Sequence, residues 1–391
     1  MRERYTDAVL DALRGEGDPV PDGIVERLAV AGQVDEVNAL LRHLVRNAQP
    51  VPTALPDEIE HWLRETARLP AWADHDRLDR AAVFFVEHGV AVSLILATSS
   101  LVECYAARSG CKALTFSYRL GQNAYRRIAE TGQFVLWVLS PGAFEPGGQG
   151  IRAVQKVRLM HSAIRFLIRQ TGRWSDAELG VPICQEDMLG ALTAFSVLVV
   201  RDLRRLGQQV GDEEAEDFYH LWRVVGAMLG IREDMLPGDA AEAFHLGDRI
   251  ARRHHGPSPE GVALTRALLE FHAVGMPGDL LDGVTPALIR ELVGEQIADW
   301  MEVPRGPWDR VSDGLDALGR LVDLADRGTG PLADAVDRLG LAFLSRRTIA
   351  LSGYERTGFE IPERLAAGWA DRGRPSFHGA HGPRADGEPE S

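Results

Sequence analysis

Cysteine is scarce in this sequence: Cys104, Cys111 and Cys184 are the only three among 391 residues. An odd, sparse set builds no disulfide framework, and without a CxxC pair a structural zinc site has no basis. Free thiols fit a reducing compartment. Basic residues are also in deficit, 43 Lys and Arg against 57 Asp and Glu, for a formal net charge of −14. General affinity for nucleic acid or anionic membrane needs the opposite balance, so neither partner is expected. The opening residues, MRERYTDAVLDALRGEGDPVPDG, contain no apolar signal-peptide stretch, no twin arginine and no small-residue cleavage site. The longest apolar stretch, around Val90 to Leu96, is interrupted by Ser, Thr and Glu within about a dozen residues, whereas a membrane helix needs about 20 apolar ones. The expectation is a cytoplasmic protein with no membrane span.

Several site motifs are absent too. There is no HExxH, no Gly-rich phosphate loop, no GxSxG elbow and no EF-hand loop. A di-iron carboxylate bundle would need two ExxH pairs on facing helices, and none is found. His254 and His255 are adjacent, so on a helix they point to different sides. His378 and His381 fall in the C-terminal tail.

What the sequence has is helical spacing. Hydrophobic residues make up 45% and charged residues 26%, ordinary fractions for a globular chain, and no segment sustains a period of two. The first stretch, of roughly 50 residues, reads as two short amphipathic helices joined by a Gly/Pro/Asp-rich link. Further helices are expected over 56–69, 80–107, 115–139, 151–170, 185–207, 212–230, 240–253, 259–273, 285–302, 311–327 and 333–352. Phe84, Phe85, Ile95 and Leu101 are candidate core residues. His220 and Trp222 are expected to pack internally. Residues 371–391 are Gly, Pro and charge, the composition of a disordered tail. No repeat and no internal linker is visible, so one large all-helical domain is expected over residues 1–370.

The helix IRAVQKVRLMHSAIRFLIRQ places Val154, Val157, His161, Ile164 and Ile168 at three- and four-residue intervals, an inward stripe with His161 at its centre. A lone histidine there is either a hydrogen-bonded core residue or a metal ligand. Arg158 and Arg165, three before and four after it, share a side of the helix with it. A guanidinium beside an apolar stripe needs an anion. The carboxylates of a cofactor would serve, and so would a protein acid such as Glu186 or Asp187. In the preceding helix, Arg127, Glu130 and Thr131 form a second set, either a surface pair or the polar lining of a pocket facing His161. The acids of QED at 185–187 are explained by helix capping alone.

The segments KVRLMHSAIRFLI, VPICQEDMLGALTAFS and DFYHLWRVVGAMLGIREDMLP, in that order and spacing, with FFVEHG and SLVECYAA upstream, resemble the latex-clearing protein and MpaB-type oxygenase family over roughly residues 80–260. The resemblance implies an all-α, globin-like helical core with additional helices, holding a b-type haem with O2 as co-substrate. His161 matches the family's proximal iron ligand, Arg127 and Thr131 its distal arginine and threonine. Arg158 and Arg165 become candidates for contacts to the haem carboxylates. Rubber-cleaving members carry a lysine just before the distal threonine, where this chain has Glu130. Their distal glutamate falls, counted without gaps, at Cys111 beside Lys112, which suggests a reciprocal exchange of Lys112 with Glu130. The resemblance implies a haem-dependent oxygenase acting on a hydrophobic, alkene-containing small molecule such as a terpenoid. C=C cleavage is the leading outcome, with hydroxylation, epoxidation or desaturation as alternatives, and an external electron donor is a possible partner. A haem-binding sensor or carrier, and a cofactor-free helical protein, are the competing readings.

Overall fold

The computed structural model describes residues 4–117, 124–275 and 284–306. Among them the chain forms helices and no strand, with one isolated antiparallel bridge between Ala107 and His255. The all-α class expected from periodicity is the one observed.

The N-terminal part holds α1 (Asp7–Arg14), α2 (Pro19–Ala31), α3 (Val34–His43) and α4 (Asp57–Glu65). The Gly/Pro/Asp-rich stretch expected to link two helices does so over residues 15–18, between α1 and α2, and its remainder, from Pro19, forms the first turn of α2. Proline suits that position because the first-turn N–H groups have no partner within the helix. These helices enclose their own apolar cluster, which includes Ile24, Leu41, Ile59 and Trp62 and receives Leu159 and Ala163 from elsewhere.

α5 (His75–Ile95) is capped by Asp74, whose carboxylate accepts the backbone N–H groups of Asp76 and Arg77. The single helix expected over 80–107 does not run straight through. Its backbone leaves helical geometry at His88 (φ −113°, ψ 15°), widens into a π turn over Leu96–Ser100 and resumes as α6 (Leu101–Ala106). In the π turn Thr98 Oγ1 donates to the Leu94 carbonyl at 2.7 Å, a side-chain competitor for a backbone acceptor. Phe84, Phe85 and Ile95 are buried as expected. By length and composition alone the helical run His75–Ala106 is long and apolar enough to cross a membrane, but half of its most apolar stretch is buried inside the protein, as in a core helix.

α7 (Arg108–Ser117) and α8 (Ala124–Leu139) take the place of the expected helix 115–139. α9 (Gly150–Gln170) matches its expected span, and the short α10 (Asp176–Leu179) follows. The expected helix 185–207 is two, α11 (Gln185–Phe195) and α12 (Val197–Arg205). They part at Ser196 (φ −118°, ψ −87°), whose hydroxyl bonds the Leu192 carbonyl at 2.6 Å. α13 (Asp212–Met228) packs along α5, and α14 (Ala240–His254) packs on α11. α15 (Pro259–Gly275), α16 (Val284–Val293) and α17 (Glu295–Trp300) follow. The break between the last two is at Gly294, whose φ of +84° is open to glycine without strain. The expected helices 311–327 and 333–352 and the tail 371–391 lie outside the described residues.

α9 is held between α2 and α8. The largest apolar cluster, with Phe84, Leu139, Ile168, Leu189 and Phe218, joins α5, α8, α9, α11 and α13. Another, with Val102, Leu268, Ile289 and Met301, gathers α6 and α15–α17. A cavity lies where these two clusters face each other.

Candidate active site

The cavity has a volume of about 550 Å3, and α9 supplies His161 to its wall together with Val157, Met160 and Ile164. The apolar neighbours follow from the three- and four-residue spacing along α9. Neither ring nitrogen of His161 has a hydrogen-bond partner among the described residues, and Nδ1 is buried. Burial, reinforced by the Arg165 and Arg127 cations, pushes the imidazole pKa down to about 3. The ring is therefore neutral at physiological pH, the form in which histidine ligates a metal. A buried polar nitrogen without a partner is costly, and Trp222 Nε1 in the same wall is likewise buried and unpartnered.

α8 brings Arg127, Glu130, Thr131 and Phe134 to the same cavity. Arg127 Nη1 lies 3.2 Å from Met160 Sδ and 3.9 Å from a Glu130 carboxylate oxygen. Thr131 Oγ1 donates to the Arg127 carbonyl at 2.9 Å. The polar set read from α8 and the histidine read from α9 thus share one cavity.

Arg158 and Arg165, expected to hold a cofactor's carboxylates, do not line it. Arg158 donates to Asp18 at 2.6 and 3.0 Å and to the Met228 carbonyl at 3.3 Å, its guanidinium 5.9 Å from the Trp62 ring centre. Arg165 pairs with Asp22 at 2.7 Å and donates to the Ile183 carbonyl and Ser162 Oγ at 3.2 and 3.0 Å. Both arginines do meet an anion, but it is a carboxylate at the start of α2. Three residues back or four on, a helix position sits about 40–60° around the axis from His161. The long side chains therefore reach α2 while the imidazole faces the cavity. The acids named as alternatives are taken elsewhere, Glu186 by Arg14, Arg253 and His254 and Asp187 by Arg14.

Cys111 is fully buried with its thiol 3.9 Å from Ser258 Oγ, and burial pushes its pKa up to about 12. Neither Cys111 nor Lys112 lines the cavity. The expected exchange of Lys112 with Glu130 is not built into its wall.

The wall also holds polar residues that were not read as site residues from the sequence, among them Glu103 of α6, Arg201 of α12 and His255 just beyond α14. Arg201 lies 3.3 Å from Glu103 Oε1 and 2.7 Å from Asp202, and His255 Nδ1 lies 3.5 Å from Glu103 Oε2. The neighbouring histidines do diverge, His254 lying 2.9 Å from Glu186, yet both reach the wall. The available signal was a lone carboxylate in the apolar run SLVECYA. Burial raises the Glu103 pKa against the opposing pull of Arg201.

Comparison with known proteins adds three findings. The family described as ER-bound oxygenase mpaB/B'/rubber oxygenase, catalytic domain, matches residues 89–324. The rubber oxygenase of Streptomyces sp. (strain K30) is 31% identical over 298 residues, which cover 75% of this chain and 71% of that protein. The solved structure of latex clearing protein in its closed state superposes with a TM-score of 0.74 at 25% identity, covering 90% of this chain and 95% of that one.

Proposed function

The chain belongs to the mpaB/B' and rubber oxygenase catalytic-domain family, and from that premise we propose that this oxygenase is haem-dependent and acts on a hydrophobic, isoprenoid-type alkene. The observation that carries the reading is His161: a neutral imidazole whose buried Nδ1 has no hydrogen-bond partner among the described residues, set in the wall of a cavity of about 550 Å3.

The donor set fits a haem. A neutral histidine is the commonest proximal ligand of haem iron, and the surrounding wall is apolar: Val157, Ile164, Phe134, Leu192 and Val225. When bound, the haem supplies the dioxygen chemistry, which side chains alone do not have. His161 holds it and leaves the charge of the site to other residues. Arg127 and Glu130 both line the cavity, the guanidinium 3.9 Å from a carboxylate oxygen. Glu130 is the candidate general base for an allylic C–H, taking the proton on its carboxylate and returning it before the carbonyl products leave, a role that a positioned carboxylate can fill. Thr131 is tied to the Arg127 backbone and fixes the wall between them. The apolar lining excludes water and receives the hydrocarbon part of the substrate. In the overall reaction proposed, one alkene and one O2 give two carbonyl products, each taking one oxygen atom.

The substrate reading rests on the rubber oxygenase relative, whose name states its substrate, and on a largely apolar cavity of small-molecule size. The test is the absorption spectrum and pyridine haemochrome of the purified protein and of His161→Ala, followed by oxygen uptake with isoprenoid alkenes. Stoichiometric b-type haem in the wild type, lost in the variant, supports the proposal. Absence of a Soret band after reconstitution with haemin overturns it.

A further inference from the structure

The cavity wall is mostly apolar, with polar groups set into it at intervals, among them the Arg127–Glu130–Thr131 set beside His161. Glu103 with His255 forms another such group, which the oxygenase reading leaves without a task. Glu103 is 5% exposed. Its Oε1 is held by Arg201 at 3.3 and 3.4 Å. Arg201 is itself fixed by Asp202 at 2.7 and 3.0 Å, and Ser99 Oγ donates to Asp202 at 2.5 Å. Carboxylate and guanidinium are thus immobilised on α6 and α12. The remaining oxygen, Oε2, faces His255 Nδ1 at 3.5 Å.

A carboxylate on that side favours the tautomer with its proton on Nδ1, leaving Nε2 as an acceptor. No described residue donates to Nε2, and the ring lines the cavity. The ring is also anchored, because the segment following α14 bridges Ala107 and the Gly256 N–H donates to the Ala106 carbonyl at 3.0 Å. Burial and the adjacent His254 push the His255 pKa down to about 4, so the imidazole stays neutral. A purely structural tie between α6 and α14 would be as well served by an apolar side chain. A fixed, neutral acceptor at the edge of an apolar space suits an O–H donor.

We propose that His255, oriented by Glu103, is a substrate subsite that accepts a hydrogen bond from a hydroxyl group, so that the preferred substrate is an alkene bearing an alcohol rather than a pure hydrocarbon. The inference rests on the reading of the cavity as the alkene site. Its chemistry is recognition only: the O–H of the substrate donates to Nε2, and no bond is made or broken there. Glu103 is a positioning residue in this scheme.

The experiment is calorimetric binding to the haem-loaded full chain without oxygen, using geraniol and its methyl ether, which differ in the O–H donor. Wild type is expected to bind the alcohol roughly tenfold tighter than the ether, the size of one made hydrogen bond. His255→Phe is expected to lose that preference while keeping its affinity for the ether, and His255→Gln, which retains an acceptor, to keep part of it. Equal binding of both ligands by wild type, or a preference that survives in His255→Phe, overturns the subsite and leaves the cavity as an apolar alkene site. Failure of both ligands to bind wild type overturns the isoprenoid reading with it. The haem reading is judged separately, by the His161→Ala spectrum.

Discussion

Across the contact between α9 and α2, Arg165 lies 2.7 Å from the Asp22 carboxylate while only 3% of its own side chain is exposed. The cation one helical turn from the candidate iron ligand is thus neutralised by the protein. Asp22→Asn leaves it buried against a neutral amide, and breaking such a pair costs about 3 kcal/mol. Urea unfolding should show that loss, with haem content per folded molecule unchanged. Loss of haem at undiminished stability would show that Arg165 serves the cofactor after all.

Gly230 adjoins the neighbouring pair, Arg158 with Asp18. Its φ is +92°, and an added Cβ would run into the Asp18 carboxylate and Arg158 Nε. Gly230→Ala combines an unfavourable backbone conformation with displacement of a buried ion pair. A destabilisation of about 1–3 kcal/mol is expected, read as a lower Tm. A change of a few tenths or less would mean that the loop relaxes freely around the new methyl group.

His220 predicts the acid response. Its Nε2 accepts the Asp74 backbone N–H at 3.0 Å, and burial, with Arg77 beside it, lowers its pKa from 6.5 to about 4. A folded-state pKa below the unfolded one means that the unfolded chain takes the proton first as pH falls. The contribution is fully present above pH 6.5 and is lost progressively towards pH 4, where the folded form also protonates. His255, also lowered to about 4, acts in the same direction. Urea midpoints should fall between pH 7.5 and pH 5, and the decline should be shallower in His220→Gln, whose amide oxygen can still accept from Asp74. An identical decline in that variant removes His220 from the explanation.

Glu130 is 8% exposed, in the wall with Arg127 and Thr131. If it takes the substrate proton, Glu130→Gln should keep the haem and lower alkene turnover by about 10²-fold, the usual scale of a positioned base. Unchanged oxygen uptake with alkene would assign proton removal elsewhere.

Periodicity alone determined that the chain is helical, that α9 carries His161 on an apolar face, and that Arg127, Glu130 and Thr131 share one side of α8. Each of these is local, set by residues three and four apart on one helix. Tertiary structure decided what those faces meet. It turned Arg158 and Arg165 to Asp18 and Asp22, acids more than a hundred positions away in the chain, because α2 packs along α9. It left Cys111 and Lys112 out of the cavity, and joined Glu103 to His255 across α6 and the end of α14. A side chain's own spacing says which way it leaves its helix. Whether it finds a carboxylate, an apolar wall or empty space depends on which element is packed there, and no window of a few residues contains that information.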